Sequence, residues 1–451
     1  MPLLHFFRRK SAHCLQKFYI DNMFRSIIEK MVQWKDSKNR KPLVLWGARQ
    51  TGKTWAMKEF GKTHFEDCVY VSLYNNSKIA KIFEPDYDVR RILNALEIEL
   101  RVKIVPEKTL LIFDEIQSAP KVLESLKYFC EDCPEYAVVV AGSLLGVAIH
   151  EGISFPVGKI NELWLHPMSF SEFLIALGDE RLAAYIDNPE NAEVNEFADL
   201  YRERLKQYYI VGGMPEVVNS FRENQDYNAC REIQNSILNQ YEGDFGKHVD
   251  PRELPRIRMV WNSLPLQLAK ENRKFFFGQI KKGARSKDFE IAIQWLLDCG
   301  LVHKVNMVSK PGMPLMAYAE LDFFKIYMLD VGLLAAKSEL DVSSVLNGNR
   351  IFTEFKGALT EQYVLQELLA EKPYTPFYYA SEKSTYEVDF LIQKKGNVVP
   401  IEVKAEENLK AKSLRFFVDK FKPSTAIRTS MSPYRKQEWM ENVPLWAVKG
   451  I

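Results

Sequence analysis

The eight residues from Gly47 to Thr54, GARQTGKT, constrain this chain more than any other feature. They fit the pattern G-x-x-x-x-G-K-[ST], with an apolar strand-like run (PLVLW, Pro42 to Trp46) before them and a helix-forming stretch (WAMKEFGKT) after them. Strand, glycine loop and helix in that order bring successive backbone N–H groups round one phosphate. Gly47 and Gly52 let the chain turn back, and Ala48, Arg49, Gln50 and Thr51 supply the loop between them. The helix start adds its positive dipole end. Lys53 is then placed to bridge the β- and γ-phosphates and the Thr54 hydroxyl to ligate magnesium, so ATP and Mg2+ are the expected ligands.

Such a loop needs a second strand that ends in acid, to anchor the magnesium and to activate water. KTLLIFDEIQ, Lys108 to Gln117, provides it: Asp114 at the strand tip is the expected metal anchor and Glu115 the general base. A third apolar strand, YAVVVAGS, ends at Ser143, whose hydroxyl would sense the γ-phosphate if this strand lay between the other two. Serine after glycine is also an ordinary helix cap. VYVSLY (Val69 to Tyr74) and KINELWLH complete an alternation of strands and helices, so the expected fold class is α/β with a parallel sheet covered on both faces.

These tracts, with AGSLLG, WLHPMSFSEFL (Trp164 to Leu174) and YYIVGGMPEVV (Tyr208 to Val218), resemble the archaeal and bacterial AAA+ ATPases fused to a C-terminal domain of unknown function, a group similar to the origin-recognition and signal-transduction ATPases. The resemblance covers nearly the whole chain after about Met23. It implies ATP hydrolysis by an AAA+ switch. One position departs: an arginine usually follows a glycine just before the HPMSF-like tract, and here Lys159 stands in PVGKI. Lysine keeps the charge and loses the planar fork. No arginine finger stands out among Arg202, Arg204, Arg252, Arg256 and Arg258.

The middle of the chain reads as helical. Between Asn272 and Lys287, the residues Arg273, Lys274, Lys281, Lys282, Arg285 and Lys287 are interleaved with Phe275, Phe276 and Phe277, with no acidic residue. DFEIAIQWLLDCG reads as a further helix, and LVHKVNMV with PLMAYAE as a hairpin, so helix, turn, helix and hairpin form a winged-helix pattern. Such a module either meets DNA or packs as a lid. Three adjacent aromatics do not share one face, so the Phe run reads as core.

FFKIYMLDVGLLAA (Phe323 to Ala336) resembles the start of the fused domain in that family. A helix, FTEFKGALTEQYVLQELLA, and three strands, TPFYYA, YEVDFLIQ and NVVPIEVKA, follow. Asp389 sits on one strand, and Glu402 and Lys404, spaced E-x-K, sit on the next with side chains to one side of the sheet. Two carboxylates that hold a metal and a lysine that orients water suit a magnesium-dependent phosphodiesterase. Glu361 on the preceding helix is a further candidate ligand. The set resembles the PD-(D/E)xK nuclease fold, with Val388 where the proline would be. A surface ion pair beside Asp389 is the plainer alternative, and Lys410, Lys412 and Arg415 are candidate phosphate contacts on the next helix.

Composition bounds the rest. Lys plus Arg number 61 against 59 for Asp plus Glu, so any nucleic-acid site must be a local patch. Six cysteines are too few and too scattered for a disulfide framework, which favours the cytoplasm. Cys130 and Cys133 form a C-x-x-C with no second pair. No apolar run has the length of a membrane span, and the N-terminus lacks a signal-peptide pattern. The expected division is an N-terminal extension (1–23), an AAA+ ATPase core (24–166), a helical lid (167–250), a winged-helix-like module (251–320) and a PD-(D/E)xK nuclease-like domain (321–451). The expected function is an ATP-hydrolysing switch with a DNA-associated, nuclease-like C-terminal domain. The alternative is a regulatory nucleotide switch whose C-terminal domain only binds a protein or nucleic acid. DNA, a protein and a second copy of the chain are the candidate partners, and a membrane is not.

Overall fold

The computed structural model describes residues 23–142, 155–269, 274–343, 350–371, 374–381, 386–406 and 411–451. The expected N-terminal extension, save its last residue, and Ser143, Arg273 and Lys410 lie outside them. The chain divides into two compact units. One comprises Arg25–His166 with Trp295–Leu301, and the other Pro167–Gln294 with Val302–Ile451.

In the first unit five strands form one sheet: β1 (Leu43–Trp46), β2 (Asp67–Ser72), β3 (Thr109–Asp114), β4 (Ala137–Ala141) and β5 (Asn161–Trp164). Their order is β2-β3-β4-β1-β5 and every pairing is parallel. The central strands are unbroken apolar runs because both faces of the sheet are covered. Val44, Trp46, Leu111, Phe113, Val138 and Val140 enter one core cluster, while Leu43, Leu45, Leu110, Ile112, Ala137 and Val139 enter another on the opposite face. β5, at the edge, shows the alternating burial of a strand with one covered face. Helix α1 (Lys53–His64) starts directly after the glycine loop and packs Ala56, Met57 and Phe60 under the sheet. This arrangement places the ends of β1, β3 and β4 side by side, with β4 in the middle.

The second unit carries the other sheet. Helices α2 (Ala198–Val211) and α3 (Pro215–Asn224) are joined by Gly212 and Gly213, and α4 (Glu290–Asp298), whose last turn from Trp295 is counted with the first unit, precedes β6 (Val302–Val308) and β7 (Ala319–Met328). The expected strand PLMAYAE is in large part a 3-10 turn, Leu315–Tyr318, ahead of β7. Then come α5 (Val331–Lys337), α6 (Arg350–Glu371), β8 (Phe377–Ala380), β9 (Glu387–Lys394), β10 (Asn397–Val403), α7 (Lys412–Phe421), β11 (Ile427–Ser430), β12 (Arg435–Lys436) and β13 (Glu441–Pro444). All eight strands from β6 onward make one mixed sheet, ordered β12-β13-β11-β10-β9-β8-β6-β7.

The expected boundary at 320/321 therefore cuts through β7. The β6–β7 hairpin is not the free wing of a separate module, because β6 pairs with β8 in parallel from Asn306↔Phe377 to Val308↔Tyr379. The Phe run is core only in part: Phe275 is buried, donates its N–H to the Phe324 carbonyl and stacks on the Phe324 ring, Phe277 is half-buried beside it, and Phe276 is exposed.

Nor does 250 mark a separate lid. Asp330, fully buried before α5, accepts from the Gly213 N–H at 2.6 Å and from the Gln366 amide on α6. Gln366 also donates to Tyr208 Oη, Tyr208 donates to the Met168 carbonyl, and Glu367 accepts from the Phe170 N–H at 2.8 Å. A Cβ on Gly332 would lie 2.6 Å from the Gly212 nitrogen, so two backbones meet where only glycine fits. The HPMSF, IVGGMP and LDVG tracts thus meet in one buried polar knot, and the Ser169/Glu172 capping box sits beside it. Each bond satisfies a group that would otherwise be costly to bury.

Candidate functional site

The phosphate-type loop is held open by its own backbone. Gly47 has φ 147° and Gly52 φ 94°, and a Cβ on Gly47 would lie 2.4 Å from the Leu165 carbonyl oxygen. The Thr51 hydroxyl donates to the Ala48 carbonyl at 2.9 Å. Arg25, which carried no signal in the sequence, is buried and donates to the Thr51 carbonyl at 2.7 Å and the His166 carbonyl at 2.6 Å. Its planar fork ties the loop to the chain beyond β5.

Lys53 opens α1 and folds back over the loop, donating to the Gly47 and Ala48 carbonyls at 2.7 Å each. Burial pulls its ammonium down to about 8, although Glu115 and Asp114 act in the other direction and Arg49 adds to the fall. Thr54 donates to Asp114 Oδ2 at 2.5 Å, so the two expected metal ligands stand side by side. Tyr70 from β2, another residue without a sequence signal, donates to the same oxygen at 3.1 Å. Its phenol is pushed up to about 12 by burial and then by Asp114. Glu115 takes a left-handed φ of 54°, its N–H caps Asp114 Oδ1 at 3.0 Å, and Gln117 Nε2 donates to its Oε2 at 2.5 Å.

The donor set fits a hard divalent cation: a hydroxyl and a carboxylate already within hydrogen-bond distance at the start of a helix. The structure brings Thr54, which closes the glycine loop, against Asp114, with Glu115 next to it. Lys159 pairs with Glu131 at 2.8 Å on the surface. Of the arginines weighed as a finger, Arg202 pairs with Asp199, Arg204 with Asp179, Arg252 with Asp250 and Arg256 with Glu253.

The second constellation lies on β9 and β10. Their antiparallel register runs to Ile401↔Phe390, which sets Asp389 opposite Glu402 at the next step. Asp389 Oδ2 accepts from the Val403 N–H at 2.7 Å, and Lys404 Nζ lies 2.6 Å from Glu402 Oε1. Glu402 is 3% exposed, and its Oε2 has no hydrogen-bond partner among the described residues. Burial, and then Asp389, push its carboxyl up to about 7, with Lys404 pulling the other way.

Glu361 does not join them. It accepts from the Tyr327 hydroxyl at 3.0 Å and faces Lys325 at 3.7 Å, and Lys325, wholly buried on β7, lies 2.5 Å from Glu387. Among the described residues no three of His, Cys, Asp and Glu form a group that would hold a metal. Glu361, the further candidate, is therefore not assembled with Asp389 and Glu402 as a ligand, because Lys325 and Tyr327 hold its carboxylate. Sequence reasoning missed Lys325, which looks like any strand lysine within the FFKIYMLDVGLLAA tract.

A family model described as an AAA domain matches residues 39–174. The segment carries the glycine loop, the acid-ended strand and the β2-β3-β4-β1-β5 order in one unit. In that segment the chain is similar to AAA domains. Two models of domains of unknown function match 202–344 and 356–448. The first runs past β7 into α5, in keeping with a continuous second sheet.

A search of curated proteins finds no match. Among solved structures the chain is similar to the Walker-type ATPase of Pyrococcus abyssi, at 14% identity and a TM-score of 0.46 over 70% of this chain and 96% of that one. It is also similar to the Orc1 protein of Aeropyrum pernix in complex with DNA, at 14% identity and a TM-score of 0.28 over 70% of this chain and 90% of that one. A signal-transduction ATPase from Pyrococcus horikoshii gives 11% identity and a TM-score of 0.27 over 78% of this chain and 46% of that one. No helix of the described residues is long and apolar enough to cross a membrane.

Proposed function

We propose that the chain binds and hydrolyses ATP as an AAA+ switch. The observation that carries this reading is the convergence of Lys53, Thr54, Asp114 and Glu115 beyond the ends of β1 and β3, the two strands that flank β4, with Thr54 and Asp114 2.5 Å apart. Lys53 exchanges its two neutral carbonyl partners for phosphate oxygens, a stronger, charge-assisted pairing. Thr54 and Asp114 hold Mg2+, which when bound neutralises charge on the phosphates. Glu115 takes the proton of the attacking water. The test is phosphate release with magnesium. Lys53→Ala and Glu115→Gln should each lose at least about 100-fold in turnover; rates equal to the parent protein in both would reject the assignment.

A second reading concerns β9 and β10. The orphaned, buried Glu402 Oε2 suits one hard cation shared with Asp389, and the run α6, β8, β9, β10, α7, β11 supports a PD-(D/E)xK-like domain that acts on nucleic acid. Lys404 would orient water. Magnesium-dependent cleavage of plasmid or single-stranded DNA should vanish in Asp389→Ala and Lys404→Ala. If the parent protein cuts neither with magnesium nor manganese, the domain is a binding module for a protein or nucleic acid. The surface between Lys274 and Lys287 is the proposed DNA contact, although α4 itself, EIAIQWLLD, offers no basic side chain to a groove. The described cysteines are free thiols, which suits a reducing cytoplasm.

A further inference from the structure

Gln117 is a polar side chain that the hydrolytic scheme leaves unused. It sits on a short 3-10 turn, Ile116–Ser118, two residues after Glu115. Its amide nitrogen donates to Glu115 Oε2 at 2.5 Å. Its amide oxygen is buried and meets no hydrogen-bond donor among the described residues. That oxygen points at Gly142, where a Cβ would come within 2.3 Å of it. Gly142 directly follows β4, the strand between the P-loop strand and the acid-ended strand. One planar amide thus holds the general base at one end and abuts the end of β4 at the other. A group that is planar cannot yield at its oxygen without moving its nitrogen.

Glu115 needs such a restraint. Its left-handed φ of 54° takes it out of the regular strand, so its direction is not fixed by the sheet. The restraint is also of the right chemistry. A neutral amide donor steadies the carboxylate without removing its charge, and it occupies only one of the two oxygens.

We propose that Gln117 is the positioning residue for Glu115 and that it couples the base to the position of the end of β4. With the amide in place the carboxylate faces the phosphate loop; a shift of the β4 end turns it away. This rests on the reading of Glu115 as general base, and the experiment separates the two.

The full-length chain is compared with Gln117→Met, which keeps length and loses the amide, with Gly142→Ala, which displaces it, and with Glu115→Gln alone and combined with Gln117→Met. Turnover, KM, affinity for a fluorescent ATP analogue and unfolding temperature are measured for each. Gln117→Met and Gly142→Ala should each lower kcat about ten-fold with KM, analogue affinity and unfolding temperature unchanged. In the Glu115→Gln background Gln117→Met should cost nothing further, because there is no base left to position. An unchanged kcat in Gln117→Met, a ten-fold loss that persists on top of Glu115→Gln, or a loss that runs through affinity or folding would each overturn the coupling. Parent-level turnover in Glu115→Gln would instead remove the base itself.

Discussion

The P-loop site and the carboxylate–lysine cluster on β9 and β10 use the same side chains to opposite ends. At the P-loop, Lys53 rests on two neutral carbonyls, and the loop glycines keep backbone N–H groups turned inward. Those partners are weaker than a phosphate, so the site gains by accepting one. In the second cluster the charges already answer each other. Lys325 serves Glu361 and Glu387, Lys404 serves Glu402, and Asp389 takes a backbone N–H, with Glu402 Oε2 left over. A lysine beside carboxylates therefore marks a ligand site only where its present partners are cheaper than the ligand. The first site meets that condition throughout, the second at one oxygen.

The contrast predicts a ranked set of effects. Asp114→Asn should cut ATP turnover about 100-fold or more, since it weakens the magnesium anchor while leaving the fold's volume intact; phosphate release measures it. Lys325→Met should show up in stability instead. Breaking a buried pair strands Glu361 and Glu387 and costs about 3–5 kcal/mol, read as a lower urea midpoint. The triple variant Lys325→Met, Glu361→Gln, Glu387→Gln should recover part of that loss.

Glu402 gives a pH signature. Its folded pKa, about 7, lies above the ordinary 4.5, so between those values the folded state keeps a proton that the unfolded chain has lost. Stability contributed by this group is whole below about pH 4.5 and falls as pH rises toward 7, by on the order of 3 kcal/mol. Glu402→Gln should flatten the dependence of unfolding temperature on pH across that window. The smallest effect belongs to Lys159→Ala. An exposed pair with Glu131 is worth about 0–1 kcal/mol, so stability should hardly move.

The P-loop half was legible in the sequence because its requirements are local. Glycine positions, Lys53 and Thr54 follow one another, and β3 announces Asp114 by an apolar run buried on both faces. Arg25 and Tyr70 were not legible, since each reaches the site only through the fold, from a helix start and from a neighbouring strand. The second unit was harder. A strand that reads as the wing of one module, β6, pairs with β8 some seventy residues later, and nothing local in HKVNMV records that pairing. Lys325 was invisible for the same reason: its meaning lies in Glu361 and Glu387, on a helix and a strand further along the chain. The glycine tracts were noticed as turns, whereas their role is to let Gly212 and Gly332 touch.

The central claim is that the P-loop site is a working hydrolytic centre in which binding and chemistry belong to different side chains. Its most direct test is nucleotide trapping with radiolabelled ATP and magnesium, followed by separation of ATP from ADP in the bound fraction. Glu115→Gln should retain ATP unhydrolysed while the parent protein holds ADP and Lys53→Ala holds little of either. ADP accumulating on Glu115→Gln at the parent rate would contradict the account.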